Sequence, residues 1–164
     1  MTRRILITGG FGYVGGRVAK ALAERADTVI VLGSRGRHAQ PSWLPAASMV
    51  VTPWHEPERL RQACCGIDTV LHLAAMNEIE SARDPAGALE MNGISTVRIL
   101  EAAKAERVKR FVYLSTAHVY GAPLIGRIDE AVCPRPMHPY ATSHRAAEDV
   151  VLAAHDSGTL TGLV

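Results

Sequence analysis

The sequence lacks the features that mark several large classes of protein. Its formal net charge is only +2, and no segment concentrates Lys and Arg, so nothing in it points to nucleic acid or to an anionic membrane surface. No apolar run approaches the roughly 20 residues that cross a bilayer. Residues 1–4 lead directly into a short apolar run, without the longer apolar segment of a signal peptide. We therefore expect a cytoplasmic protein.

Cysteine is also scarce. The three cysteines, Cys64, Cys65 and Cys133, do not have the spacing of metal ligands, and two adjacent cysteines do not suit a simple disulfide. A reducing cytosol would keep them as thiols, so we interpret them as small core or surface residues. The chain has 164 residues, of which 48% are hydrophobic. That is enough for one domain with a real core.

Short apolar runs alternate with amphipathic segments along the chain. The apolar runs predict strands at residues 5–8, 28–32, 49–52, 68–73 and 110–115. The amphipathic segments predict helices at residues 12–25, 56–65 and 140–155. Because continuous apolar strands separated by helices are typical of parallel sheets covered on both faces, we predict a Rossmann-like, doubly wound α/β sheet. Residues 160–164 resemble the start of a sixth strand, so we expect one domain over residues 1–164 that is cut off there.

A further long helix is predicted after the fourth strand. Asp84 is a residue type that caps helix N-termini, and Pro85 is favoured at the first helical position. The spacing of apolar residues predicts an inner face made of Leu89, Ile94, Val97, Leu100 and Ala103.

The first strand and the first helix are joined by a glycine-rich turn, residues 8–15, with the sequence TGGFGYVG. Glycines allow turn conformations that side chains forbid, and they let a pyrophosphate approach the open N–H groups of the helix N-terminus. Between a strand and a helix this pattern predicts dinucleotide binding, whereas the alternative is an ordinary glycine loop. The predicted cofactor-binding residues of the turn are Gly9, Gly10, Phe11, Gly12, Tyr13, Val14 and Gly15.

The end of the second strand bears on the choice between NAD and NADP. An acidic residue here would bind the adenosine ribose hydroxyls and favour NAD, but the chain has Gly33. Ser34, Arg35 and Arg37 instead offer a hydroxyl and two guanidiniums, which suit a 2′-phosphate. We therefore predict that NADP is preferred over NAD. The alternative is a solvated loop with ordinary arginines.

The ends of the fourth and fifth strands carry further candidates. Small residues in the segment Leu73, Ala74 and Ala75 would let a flat cofactor lie against the backbone, although they also suit plain core packing. Thr116 follows the fifth strand, and Tyr140 begins the last predicted helix. Because ligands bind outside the carboxyl ends of parallel strands, this hydroxyl and this phenol could meet over one pocket.

A phenol can act as acid or base in carbonyl chemistry when its pKa, about 10 in isolation, is lowered. A cation four residues further along the helix, on the same face, would lower the phenol pKa. The residue there is His144. We expect it to gain charge, and to help Tyr140 in this way, only at mildly acidic pH.

Five segments of the chain carry motifs that occur together. They are the turn T-G-x-x-G-x-x-G at residues 8–15, H-L-A-A at 72–75, N-x-x-G-T-x-x-L-L-E-A-A within 90–103, a strand with S-S/T-x-x-V-Y-G at 108–121, and the start of P-Y-x-x-S-K at 139–143. Together they resemble the extended short-chain dehydrogenase/reductase family, the NAD-dependent epimerase/dehydratases of nucleotide sugars. The resemblance runs from residue 4 to residue 164.

The resemblance implies an enzyme that epimerises, dehydrates or reduces a nucleotide sugar, or a related hydroxy or keto substrate, by hydride transfer with NAD or NADP. It implies that Tyr140 is the catalytic acid/base and that Thr116 holds and polarises the reacting oxygen. It places the pyrophosphate on Gly9, Gly12 and Gly15. It also implies a row of cofactor contacts at Ala74, Asn92, Ser115, Tyr140 and His144. The expected partner is a small molecule, without nucleic acid or membrane, and a homodimer is left open.

The chain departs from the family pattern at three places. His144 stands where the family has a lysine that binds the nicotinamide ribose and lowers the tyrosine pKa. Pro53 stands where an acidic residue often lies near the adenine. The chain ends before the region that forms most of the family's substrate pocket. The alternative function is therefore an NAD(P)-binding protein with weak or no turnover, and a flavin or other nucleotide-binding domain is a further reading.

Overall fold

The structure, a computed structural model of the chain, describes residues 2–164. Six parallel strands form one sheet in the order β3-β2-β1-β4-β5-β6. The strands are β1 (Arg3–Thr8), β2 (Thr28–Ser34), β3 (Ser48–Val51), β4 (Thr69–His72), β5 (Arg110–Tyr113) and β6 (Thr161–Leu163). The predicted Rossmann-like α/β sheet is confirmed. The strand order changes direction between β1 and β4, which is where open sheets of this kind bind ligands.

The helices cover both faces of the sheet. They are α1 (Tyr13–Ala23), α2 (Pro57–Cys64), α3 (Glu78–Arg83), α4 (Pro85–Ala88), α5 (Ser95–Ala105) and α6 (Pro139–Asp156), with a 3₁₀ turn at Ala117–Tyr120. Helix α3 was not predicted; it is capped by the side chain of Asn77, which accepts a hydrogen bond from the amide of Glu80 at 2.9 Å. Among the described residues, no helix combines the length and apolar character needed to cross a bilayer.

The predicted long helix after β4 is interrupted by a π-helical segment. Asp84 caps it as expected, accepting a hydrogen bond from the amide of Gly87. The segment Leu89–Ile94 then adopts the wider π turn before α5 begins. The predicted inner face is wrong for Leu89 and Ile94, which are 45% and 44% exposed. A π turn shifts the helical phase, so that the polar Asn92 turns inward instead.

The remainder of that inner face is formed as predicted, and the core lies on both faces of the sheet. Leu100 and Ala103 are fully buried, and Val97 is half-buried. One core cluster packs the sheet against α2, α5 and α6, and the other packs it against α1 and the segment before β3.

All three cysteines are free thiols, with Cys64 in the core and the other two at the surface, which confirms their interpretation.

Candidate active site

A cavity of about 620 Å³ opens at the carboxyl ends of the central strands. It is bounded by the glycine turn, by the ends of β2, β3 and β4, by Glu80 of α3 and by Met91 of the π-helical segment. Its lining residues are Gly9, Phe11, Gly12, Gly33, Ser34, Arg35, Gly36, His38, Thr52, Trp54, Leu73, Ala74, Ala75, Met76, Glu80 and Met91. Eight of the residues predicted from the sequence to bind a cofactor therefore line one cavity: Gly9, Phe11, Gly12, Ser34, Arg35, Leu73, Ala74 and Ala75.

The glycine turn is shaped by backbone packing at two of its glycines. Gly9 has φ of 69°, and a Cβ there would lie 2.9 Å from the amide nitrogen of Ala74. A Cβ at Gly15 would overlap the carbonyl oxygen of Gly9. Gly12 lines the cavity and is the N-cap of α1, with no capping side chain among the described residues; a Cβ there would lie 3.1 Å from the carbonyl oxygen of Gly9. The turn therefore leaves the helix N-terminus accessible to an anion.

The other residues predicted in this turn lie around the cavity without lining it. Tyr13 and Val14 are on the exposed side of α1, and the guanidinium of Arg17 lies 4.6 Å from the ring centroid of Tyr13. Gly10 packs against the side chain of Leu32. The side chains of Tyr13 and Val14 therefore face solvent, and for all three residues only the backbone groups remain as candidates for cofactor contact.

The polar residues after β2 do not all face the same way. The Ser34 hydroxyl donates a hydrogen bond to the carbonyl of Gly36 at 2.5 Å, which leaves its lone pairs as acceptors. Arg35 lines the main cavity, whereas Arg37 lies in an adjoining depression beside Met49, Val50 and Val51; the two share Ser34, Gly36 and His38 as lining residues. Of the two arginines predicted to hold a 2′-phosphate, Arg35 is thus the one next to the cavity.

A hydrogen-bond network supports the cavity from beneath. The amides of Leu73 and Ala74 lie 3.2 and 3.4 Å from the hydroxyl of Thr8. That hydroxyl is 2.6 Å from Nδ1 of His72, and Nε2 of His72 is 3.0 Å from the hydroxyl of Thr96. Burial lowers the pKa of His72 to about 3. A neutral imidazole thus joins the floor of the cavity to α5.

Asn92 holds two walls of the site together. Its Oδ1 accepts a hydrogen bond from the amide of Met76 at 2.6 Å, and its Nδ2 donates to the hydroxyl of Ser143 at 3.0 Å. The Ser143 hydroxyl in turn donates to the carbonyl of Tyr140 at 2.9 Å. The side chain is fully buried, so its hydrogen bonds connect the segment after β4 to α6. The role predicted for Asn92, a contact along the cofactor, stays a prediction.

The side chain of Thr116 lies near enough to the phenol of Tyr140 to affect its pKa, and their meeting over one pocket stays a prediction. Burial raises the pKa of the Tyr140 phenol, while a hydrogen-bonding interaction with the Thr116 side chain lowers it and the Glu78 carboxylate raises it; the net pKa is above the ordinary value. Thr116 also accepts a hydrogen bond from the amide of His118 at 3.3 Å, which leaves its own hydroxyl proton available. Ser115 has a buried hydroxyl with no partner among the described residues.

His144 is on the same helical face as Tyr140, with ring centroids 4.5 Å apart, but it does not gain charge as expected. Its side chain is only 1% exposed, and its Nδ1 lies 2.6 Å from the phenol oxygen of Tyr113. Burial lowers the pKa of His144 to about 4. The expectation that mildly acidic pH charges His144 and so assists Tyr140 is therefore wrong, because the buried ring stays neutral.

Two further histidines near the site, His138 beside Tyr140 and His118 beside His138, were missed by sequence reasoning. His138 is the N-cap of α6, and its Nδ1 accepts a hydrogen bond from the amide of Ala141 at 3.3 Å. Its ring is stacked parallel to that of Tyr140 at 6.2 Å, and the ring of His118 lies 5.2 Å away. Histidine is not a usual N-cap residue, so only its place directly before Pro139 could have drawn attention to it.

The candidate catalytic group is adjacent to the cavity rather than within its walls. Of the described residues that line the cavity, none is Thr116, Tyr140 or His144. Asn92, which follows the lining residue Met91, connects the cavity to helix α6. Its side chain is hydrogen-bonded to the lining residue Met76 and to Ser143 of α6. Over residues 2–164 there is no group of three or more His, Cys, Asp or Glu side chains that could hold a metal ion.

The chain matches known proteins over nearly its whole length. The sequence profile described as the NAD dependent epimerase/dehydratase family matches residues 5–164. The UDP-glucose 4-epimerase of Streptomyces lividans is 33% identical, with 98% of this chain and 51% of that protein covered. The GDP-6-deoxy-D-mannose reductase of Pseudomonas aeruginosa is also 33% identical, with 93% of this chain and 47% of that protein covered.

Solved structures show the same architecture. The UDP-glucose 4-epimerase from Brucella ovis, solved in complex with NAD, superposes with a TM-score of 0.86 at 25% identity, over 97% of this chain and 50% of that one. The chain thus spans about half the length of the relatives that it matches.

Proposed function

The chain belongs to the NAD dependent epimerase/dehydratase family, and from this premise we propose that it acts by hydride transfer between a nicotinamide cofactor and a nucleotide sugar or a related hydroxy or keto compound. The observation that carries the proposal is the cavity that the glycine turn opens at the carboxyl ends of the strands, where eight of the predicted cofactor-binding residues meet. Residues 1–164 would form the cofactor-binding domain, with a substrate lobe outside them.

The residues around the cavity fit a dinucleotide. The absence of a side chain at Gly12 lets a pyrophosphate approach the turn, and the uncapped N-terminus of α1 offers its amides to it. We propose that Arg35 contacts the adenosine ribose end, where a 2′-phosphate would distinguish NADP from NAD. The lone pairs of Ser34 would accept from a ribose hydroxyl. Ala74 and Ala75 would let the cofactor lie close to the strand end.

The chemistry of the site follows from two side chains. When bound, the nicotinamide would supply or accept a hydride. The Thr116 hydroxyl, whose proton is not used by His118, would donate to the reacting oxygen of the substrate. The phenol of Tyr140 would exchange a proton with that same oxygen. The network through Asn92 and Ser143 would hold the backbone of Tyr140 in place.

The proposal is tested by binding and by turnover. Calorimetric titration with NAD⁺, NADH, NADP⁺ and NADPH should give saturable binding of at least one cofactor. In the longer protein that carries the substrate lobe, incubation with that cofactor and UDP-glucose as the probe, followed by proton NMR of the sugar, should show conversion. Tyr140→Phe should slow conversion by about 100-fold or more, while cofactor binding stays measurable by calorimetry. Failure of all four cofactors to bind would contradict the proposal.

A second function, cofactor binding without turnover, is favoured by one observation. His144 is buried and neutral, so Tyr140 lacks the cationic neighbour that would ionise it. Under this function the cofactor would bind with the same affinity, and Tyr140→Phe would change nothing. The turnover assay with the matched Tyr140 variant separates the two functions.

A further inference from the structure

The imidazole of His38 is stacked on the ring of Phe11 beside the cavity. The two ring centroids are 4.4 Å apart, and the ring planes are inclined by 17°. Phe11 belongs to the glycine turn, whereas His38 belongs to the segment that joins β2 to β3, and both residues line the cavity. Because stacked rings attract each other in a limited range of geometries, the contact sets where the imidazole stands relative to the turn.

The segment that carries His38 is itself anchored, and we call residues 38–47 the strap. The side-chain amide of Gln40 donates hydrogen bonds to three backbone carbonyls within it, those of Leu44, Pro45 and Ala47, at 3.4, 3.2 and 2.8 Å. The Trp43 ring lies edge-on to the ring of Phe11, with 6.5 Å between centroids. The strap is therefore fixed to the glycine turn by a second aromatic contact besides the His38 stack.

His38 lies where the cavity meets the adjoining depression, which has a volume of about 260 Å³. His38, Ser34 and Gly36 line both and form the wall between them. Arg35 lines the cavity, and Arg37 lines the depression. Of the described residues that line the depression, none is acidic. Two guanidiniums and an imidazole thus surround one wall, which suits an anion.

A phosphate on the adenosine ribose needs hydrogen-bond donors, and Ser34 does not supply one. Its hydroxyl donates to the carbonyl of Gly36 at 2.5 Å, and the preceding residue, Gly33, has no side chain. The side-chain donors that line the cavity at this wall are therefore those of Arg35 and His38. The imidazole of His38 is exposed, and it carries at least one N–H whether neutral or charged.

We propose that His38 is a specificity-determining residue that binds the 2′-phosphate of NADP together with Arg35, and that Phe11 is a positioning residue that holds the imidazole in place by stacking. This inference rests on the proposed function. It assigns part of the discrimination between the two dinucleotides to the strap, outside the end of β2 where sequence reasoning placed it. NAD has a hydroxyl instead of the 2′-phosphate, and its binding does not depend on His38.

The role of His38 is tested by calorimetric titration of the chain with NADP⁺ and NAD⁺. His38→Ala should weaken NADP⁺ binding about fivefold or more and NAD⁺ binding less than about twofold. His155→Ala is the matched control, because His155 is also exposed but lines a depression away from the cavity, and it should change neither affinity. Equal losses for both cofactors in His38→Ala, or no loss for either, would overturn the proposal.

The positioning role of Phe11 is tested by the ratio of the two affinities. Phe11→Tyr keeps a ring for stacking and should keep the ratio of the unsubstituted chain. Phe11→Leu removes the ring and should shift the ratio toward NAD⁺, but in the His38→Ala background it should produce no further shift. A purely structural role would lower both affinities and leave the ratio unchanged. A shift by Phe11→Leu that persists without His38 would contradict the positioning role.

Two fragments isolate the adenosine end of the cofactor. Adenosine 2′-monophosphate carries its phosphate at the position that distinguishes NADP, and adenosine 5′-monophosphate carries it where the pyrophosphate begins. In NMR titrations, His38→Ala should weaken binding of the 2′-monophosphate by the same factor as binding of NADP⁺, and it should leave binding of the 5′-monophosphate unchanged. Comparable losses for both fragments would overturn the proposal, because His38 would then attract phosphate regardless of its position.

The unsubstituted chain separates this inference from the function on which it rests. Binding of NAD⁺ without measurable binding of NADP⁺ would overturn the role of His38 and leave the proposed function standing. Failure of NAD⁺, NADH, NADP⁺ and NADPH alike would contradict the proposed function, and the role of His38 would fall with it.

Discussion

Nδ1 of His72 accepts a hydrogen bond from the hydroxyl of Thr8, with 2.6 Å between the two atoms. The direction is fixed by the other side of the ring. Thr96 donates its hydroxyl proton to the carbonyl of Asn92 at 2.6 Å, so it must accept from Nε2 of His72. The strand that enters the glycine turn is thereby tied, through one neutral imidazole, to the π-helical segment that carries Asn92.

Acid should destabilise the fold through its two buried histidines. Burial lowers the pKa of His72 to about 3 and that of His144 to about 4, whereas an unfolded histidine binds a proton near pH 6.5. The stability contributed by the neutral rings is therefore complete above pH 6.5 and is lost as the pH falls toward these values. For His144 the loss is at most about 3 kcal/mol.

Urea unfolding between pH 7.5 and pH 4 checks this prediction. The free energy of unfolding should fall with pH in the unsubstituted chain and fall less steeply in His144→Gln. The exposed His155 provides the matched control, and His155→Gln should keep the original slope. Equal slopes for all three proteins would show that His144 does not bind its proton more weakly when folded.

Gly12→Ala should weaken cofactor binding at least tenfold, or about 1.4 kcal/mol. Gly12 lines the cavity at the N-terminus of α1, and an added methyl group would lie 3.1 Å from the carbonyl oxygen of Gly9, within the turn expected to hold the pyrophosphate. Gly16→Ala is the control, because a Cβ there meets only ordinary contacts about 3.7 Å away and Gly16 does not line the cavity. Calorimetric titration of both variants measures the effect, and equal affinities would place the cofactor elsewhere.

Arg35→Ala should reduce the affinity for NADP more than that for NAD. A charge-assisted hydrogen bond to a 2′-phosphate contributes about 1.5–3 kcal/mol, which corresponds to roughly a 10- to 150-fold change in the dissociation constant. Arg37→Ala removes the same charge from the neighbouring depression and should have a smaller effect. If both cofactors lose affinity equally in Arg35→Ala, this residue does not read the 2′-phosphate.

Two of the three thiols should react rapidly in the folded protein. Cys65 and Cys133 are exposed, whereas Cys64 is buried and burial raises its pKa to about 12. Because the thiolate is the reactive form, iodoacetamide at pH 8 should modify Cys64 only after unfolding. Peptide mass spectrometry identifies the alkylated residues. Rapid native alkylation of Cys64 would show that α2 opens readily.

The predictable part of the site came from residues whose role depends on local backbone geometry. The glycines of the turn and the cap at Asp84 follow from short-range spacing. The placement of Thr116 and Tyr140 at one edge of the sheet follows from the rule that the carboxyl ends of parallel strands share an edge. The strand ends were predicted one or two residues too long at β4 and β5, because an apolar run does not show where strand pairing stops.

What could not be predicted depends on contacts between distant parts of the chain. The π-helical segment replaces the expected face of Leu89 and Ile94 with Asn92, whose side chain is held by Met76 and Ser143. No short-range pattern of hydrophobic residues records such a shift, since a helix with one wider turn has nearly the same sequence periodicity as one without.

The sequence by itself determined the fold family, the glycine turn and the helical face shared by Tyr140 and His144, because these depend on periodicity and on a spacing of four residues. Only the tertiary structure decided what His144 does. Tyr113 lies 31 positions before it, and β5 brings that hydroxyl to within 2.6 Å of the imidazole. Packing then removes water from both rings. Burial, rather than residue type, decides that the histidine beside Tyr140 is neutral.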